Sequence, residues 1–218
     1  MNLFTNMKRK QIDALLIHCY WYDINKKGEL DICNRLQVLA ASILWRKYDI
    51  KNIVLTAGKI KNGKPAIGIE LQKQLLLRLP GTAKKSIIVV PTARTTLGEI
   101  KKFKKIIDIH GGWQNLSSLG LKAHLPRIKF IFRKVFNKKI NNVNFICAEN
   151  ILKDNRHKAL VKKYWQSREL QLLLKNESLA QKINNIPLSG LILELIARLL
   201  PSKGYLQPKI LSWLSQFG

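Results

Sequence analysis

Five short apolar runs, separated by longer stretches with apolar residues three and four apart, leave this chain few folds to choose from. DALLIHCYW (13–21), NIVLTAG (52–58), SIIVVP (86–91), WQNLSSLG (113–120) and NVNFICAE (142–149) read as strands, several of them apolar enough to be covered on both faces. Between them, ICNRLQVLAASILWRKY (32–48), PAIGIELQKQLLLRL (65–79), TTLGEIKKFKKIID (95–108) and AHLPRIKFIFRKVF (123–136) carry the helical period. The order βαβαβαβαβ demands an α/β fold with a largely parallel sheet and helices on both faces, because parallel strands need long crossovers that pack back over the sheet. After Glu149 the pattern changes. Residues 155–183 read as one long charged helix or two, followed by 188–200 and 206–216, a helical appendage packed on the sheet edge.

In such a fold ligands sit outside the carboxyl ends of the strands, so the residues that matter follow each apolar run. Tyr20, Trp21, Tyr22 and Asp23 follow the first; Thr56, Ala57, Gly58 and Lys59 the second; and Pro91, Thr92, Ala93, Arg94, Thr95 and Thr96 the third. Ser117, Ser118, Gly120, Lys122, His124 and Arg127 belong to the fourth, and Glu149 and Asn150 to the fifth. No GxGxxG opens a helix and no Walker A motif occurs, so neither dinucleotide nor P-loop binding is indicated. Phosphate could still be held at helix N-termini, assisted by Arg94, Arg127 or Lys59.

The formal net charge of +26 over 218 residues directs attention to nucleic acid or anionic lipid. Lysine outnumbers arginine, as a low-GC genome writes surface positions, and the excess is spread along the chain, with local concentrations at KKFKK (101–105) and KALVKKYW (158–165). We therefore read a solvated basic surface, capable of weak nonspecific binding to polyanions; no specific protein partner is inferred. Three widely spaced cysteines without CxxC or histidine partners at metal-ligand spacing indicate neither a disulfide framework nor zinc. ALLIHCYWY lacks a small-residue cleavage site, and IPLSGLILELIARLL (186–200) is interrupted by Glu194 and Arg198. The expectation is a cytoplasmic protein, at most peripheral to a membrane.

Individual residues admit structural and functional readings. Thr96-Leu97-Gly98-Glu99 satisfies the Ser/Thr-x-x-Glu capping box. His124 and Arg127 flank Pro126 at a helix start, where His124 could cap free amides, yet the pair also suits an anionic group. Arg35 could pair with Asp31 along a helix surface. Glu70 is either a solvated helix residue or a partner for a ligand hydroxyl. Cys19 and Cys147 read as core residues. His18 and His157 receive no role, and His110 before Gly111-Gly112 belongs to a helix-ending turn. No Ser/His/Asp order or paired carboxylates emerge, so catalysis is left open.

Residues 12 to about 150 resemble the YdcF-like family, also called the domain of unknown function 218 family, with members linked to bacterial envelope biogenesis and vancomycin resistance. The landmarks are DALLIHCYW leading to a helix with Arg35, NIVLTAG ending in a small-residue turn, Glu70 in IGIELQKQLLL, the Thr-rich TARTTLGEI, and HLPR as His-x-x-Arg. Two departures stand out: Ala57-Gly58 replaces paired glycines, and the acidic residue of the Thr-rich turn is displaced by one position to Glu99. The resemblance implies a Rossmann-like domain over 1–150, with 151–218 as a helical extension packed on it. It implies a small nucleotide-like or phosphorylated ligand, S-adenosylmethionine among the candidates, bound by Arg35, Gly58, Glu70, Arg94, Thr95, Thr96, Glu99, His124 and Arg127. Transferase or hydrolase chemistry linked to the cell envelope is the corresponding functional expectation. A basic nucleic-acid-binding protein using Trp165, Tyr164 or Trp113 for stacking, and a peripheral membrane protein inserting 186–216, are the alternatives.

Overall fold

The computed structural model describes residues 10–20, 30–58, 66–93, 95–137, 143–154 and 156–184. Five strands alternate with helices: β1 (Gln11–Ile17), α1 (Ile32–Lys47), β2 (Asp49–Ala57), α2 (Ile67–Leu76), a 3₁₀ turn (Gly81–Ser86), β3 (Ile87–Ala93), α3 (Thr96–His110), β4 (Leu116–Gly120), α4 (Leu125–Val135) and β5 (Val143–Cys147). Three further helices follow, α5 (Ala148–Lys153), α6 (Lys158–Trp165) and α7 (Arg168–Asn184). All strand pairs are parallel, in the order β3-β2-β1-β4-β5. This is the Rossmann-like, doubly wound α/β fold that the alternating pattern requires.

Period-two side-chain alternation along the central strands divides the core into two layers. Leu15, Ile17, Ile53 and Leu55 face α1 and α2, where Leu36, Leu44, Leu71 and Leu75 are fully buried. Leu16 and Val54 face the opposite way, onto Ile100 and Phe103 of α3 and Ile128 and Phe132 of α4. Phe132 anchors that second layer, edge-to-face with Phe103 at 6.2 Å and with Phe145 at 5.3 Å. Such pairs contribute about 0.5–1.5 kcal/mol beyond area burial.

The three last helices share the first layer: Leu152, Val161, Tyr164, Leu170 and Leu173 are buried in the same cluster as Leu36 and Leu44. The stretch anticipated at 155–183 is two helices because Ser167 interrupts it. Its hydroxyl accepts from the Leu170 amide at 3.2 Å, which starts α7 afresh. The short α5, directly after β5, is not evident in the sequence pattern. The helices expected at 188–200 and 206–216, and Trp21, Tyr22 and Asp23, lie outside the described residues. Among the described residues no helix is long and apolar enough to cross a membrane.

Two local devices set the end of the sheet where the strands stop. A Cβ on Gly120 would lie 2.6 Å from Ile128 Cδ1, so the missing side chain lets α4 start directly against the end of β4. Beyond β1, the backbone of Tyr20 is held by a side chain of α1. The Asn34 amide donates to the Tyr20 carbonyl at 2.7 Å and accepts from its N–H at 3.0 Å.

Candidate functional site

With strand order 3-2-1-4-5, the chain turns to α1 on one face after β1 and to α4 on the other after β4. The carboxyl ends of β1 and β4 are therefore the topological switch point of the sheet. Polar side chains from four elements converge there, and all of them are buried: His18 and Tyr20 after β1, Thr96 and Glu99 from α3, Ser118 from β4 and His124 at the start of α4.

Glu99 is in the cluster because α3 starts one residue earlier than the capping-box reading places it. Thr95, in extended conformation, is the N-cap and accepts from the Gly98 amide at 3.0 Å. A helix advances about 100° per residue, so moving the cap from Thr96 to Thr95 turns Thr96 and Glu99 toward the sheet. The capping-box reading of Thr96 and Glu99 is thus corrected.

Glu99 accepts from His18 Nδ1 at 2.7 Å with one oxygen and from the Cys19 amide at 3.2 Å with the other. His18 Nε2 lies 3.1 Å from Ser118 Oγ. In the neutral imidazole the carboxylate selects the Nδ1–H tautomer, so Nε2 accepts from the serine hydroxyl. Hydroxyl, imidazole and carboxylate stand in the hydrogen-bonding order of acyl-transfer triads. His18, given no role from sequence, is its centre. By strand register Leu16 lies opposite Val54, which sets Thr56 across from His18 on the same sheet face. The buried Thr56 hydroxyl has no hydrogen-bond partner among the described residues.

His124 occupies the N-cap position of α4 but makes no side-chain cap bond, so its capping role is excluded. Its Nδ1 lies 2.8 Å from the Tyr20 hydroxyl and its Nε2 3.1 Å from Thr96 Oγ1. The Tyr20 oxygen accepts from the Leu121 amide at 3.2 Å; with its own hydroxyl proton directed to His124 Nδ1, the ring carries its proton on Nε2, facing Thr96. Burial, reinforced by the positive charge of Arg127 and by His18, holds the His124 imidazole well below its ordinary value. It is a neutral N–H donor at neutral pH. Glu149, itself buried, clamps the preceding segment by accepting the Lys122 amide at 3.0 Å on both oxygens.

Arg127, one turn into α4, donates from Nε and Nη2 to the two oxygens of Glu177 on α7, each at 2.8 Å. Glu177 Oε1 is also 3.9 Å from His124 Nε2. Burial raises the Glu177 carboxyl and the Arg127 guanidinium opposes that shift. A carboxylate from the same chain therefore sits where Arg127 and His124 converge.

The remaining anticipated residues are placed differently. Arg35 is exposed on α1 and makes no side-chain ion pair among the described residues; Asp31 instead caps α1 through the Asn34 amide at 3.1 Å. Glu70 pairs with Lys73 at 2.8 Å. Gly58 is required by packing, since a Cβ there would meet the Ala93 carbonyl oxygen at 2.6 Å. None of the three enters the buried network, and Arg94 lies outside the described residues. Burial raises the thiols of Cys19 and Cys147, the latter to about 11 with help from Glu149, which suits core residues rather than nucleophiles. His110 ends α3 before Gly111, whose φ of 59° makes the turn.

Fold and site together define an α/β protein of Rossmann-like design with a buried polar centre at its topological switch point. No family model matches the chain, and no curated protein or solved structure matches it either.

Proposed function

We propose that this is a YdcF-like protein that binds a small phosphorylated or nucleotide-like anion at the carboxyl ends of β1 and β4. Arg127 and His124 hold the anionic group. The observation that supports this reading is Glu177, whose carboxylate receives both parallel Arg127 bonds beside the His124 N–H. The seat is thus complementary to a planar or tetrahedral oxyanion, the geometry for which an arginine fork is suited. A neutral imidazole that donates a hydrogen bond from Nε2 can hold an anion without surrendering its proton, so the role it supports there is binding and orientation of an anionic group. The link to envelope metabolism rests on the sequence resemblance.

The test is a thermal-shift screen of nucleotides, S-adenosylmethionine, sugar phosphates and polyphosphate against the wild type and a His124→Ala/Arg127→Ala double variant. A ligand at a hundred times its Kd stabilises by about 2.7 kcal/mol. The expected hit resists added salt and loses its shift in the double variant. A shift seen only with polyanions, abolished by salt and indifferent to the two substitutions, would overturn the reading.

A further inference from the structure

A second polar surface lies on α5 and α6, and none of the buried centre's residues lines it. Lys153, Lys158, Val161, Lys162 and Trp165 line an open groove of about 600 Å³, within the range of about 300–1,000 Å³ common for ligand sites. Helical spacing explains it: Lys158 and Lys162 are one turn apart, and Val161 and Trp165 form the adjacent row. Trp165 is 44% exposed, the one exposed aromatic among the described residues. Of the other aromatics available for stacking, Tyr164 is fully buried and Trp113 is already stacked on His110 at 4.8 Å. The ammonium groups of Lys122 and Lys153 stand 5.8 and 5.7 Å from the Trp165 ring centre. That is the outer limit of cation–π attraction, about 6 Å, so both are free to turn to a stronger anion. No described carboxylate is ion-paired with Lys122, Lys153, Lys158 or Lys162.

From this geometry we infer that the Trp165 groove is a binding site for single-stranded nucleic acid, one base stacking on the indole while the lysines follow the phosphates. Four cations distributed over α5, α6 and the segment after β4 exceed what one phosphate needs and match a repeating backbone charge. Aromatic platform plus basic groove is the combination by which single strands are held without sequence readout. A membrane surface fits less well, because among the described residues Trp165 is the only large apolar side chain exposed in the groove.

Fluorescence anisotropy with labelled oligouridylate of about 12 nucleotides, across a salt series, tests this on the full chain. Removing one stacking platform weakens binding between about fivefold and a hundredfold, so Trp165→Ala is expected to do so and Trp165→Phe to recover part of the loss. Lys158→Glu/Lys162→Glu should flatten the log–log salt slope by about 1.4, two phosphates at about 0.7 each. His124→Ala/Arg127→Ala should bind as the wild type does, which separates this site from the anion seat. Unchanged affinity in Trp165→Ala would overturn the inference. So would equal affinity for uridine monophosphate, or phosphatidylglycerol vesicles bound in place of the oligonucleotide.

Discussion

Replacing Glu99 probes the buried centre more sharply than any other single change, because its two oxygens serve two different donors. In Glu99→Leu, His18 Nδ1–H and the Cys19 amide both lose their acceptor in a fully buried place. Each orphaned donor costs about 1–3 kcal/mol, so the loss is about 2–6 kcal/mol. For a chain of this size each kcal/mol moves Tm by about 2–4 °C, and Glu99→Leu should melt roughly 5–20 °C lower. Glu99→Gln behaves differently. Its carbonyl can serve Cys19 while its NH₂ faces His18, provided the imidazole moves its proton to Nε2 and Ser118 becomes the acceptor. The cost then falls to about 1 kcal/mol, and the tautomer change is visible in the ¹⁵N shifts of the His18 ring. Calorimetric melting of the three proteins, with ¹⁵N NMR of the Gln variant, checks both parts. A Leu variant within about 0.5 kcal/mol of wild type, or a Gln variant that keeps the Nδ1–H tautomer, would refute the hydrogen-bond assignment.

Other expectations follow from the same geometry. Gln37 is fully buried on α1 with neither amide atom partnered among the described residues; Gln37→Met should raise stability by about 1 kcal/mol in chemical denaturation. Gly58→Ala places a methyl group against the Ala93 carbonyl and should cost about 1–3 kcal/mol by the same assay. Asp31 is raised by burial, against the Asn34 and Cys33 hydrogen bonds, from an ordinary 3.8 to about 6. Between those values the folded form holds a proton that the unfolded form has lost, so stability falls as pH rises through the window. Partial exposure limits the effect to about 1–2 kcal/mol, read as the pH-dependent gap between wild type and Asp31→Asn from about pH 4 to 6.

Much of the scaffold is legible from residue order alone. Alternating apolar runs and helical periods fix a parallel sheet covered on both faces, and HLPR at the start of a helix after the fourth strand puts His124 and Arg127 at the switch point. The misses have local causes. DALLIHCYW continues apolar through Trp21 although β1 ends at Ile17, so His18 reads as strand interior when it is the first residue past the strand. Thr95 and Thr96 offer two caps in adjacent frames, and only packing of Glu99 onto His18 selects between them. Glu177 lies 50 residues beyond Arg127 in a polar helix, and no local pattern couples the two. Tyr164 and Trp165 are neighbours of similar character, and the helix phase alone decides which is buried and which exposed.

If Glu177 holds the place of a ligand's anionic group, calorimetric titration with inorganic phosphate reads that directly. Glu177→Gln keeps an acceptor for one Arg127 bond but removes the competing charge, so phosphate should bind about tenfold more tightly, about 1.4 kcal/mol. Adding Arg127→Leu to that variant should abolish the gain. Equal or weaker phosphate binding by Glu177→Gln would contradict the account, and would make the Arg127–Glu177 pair a tie between α4 and α7 rather than an occupied anion seat.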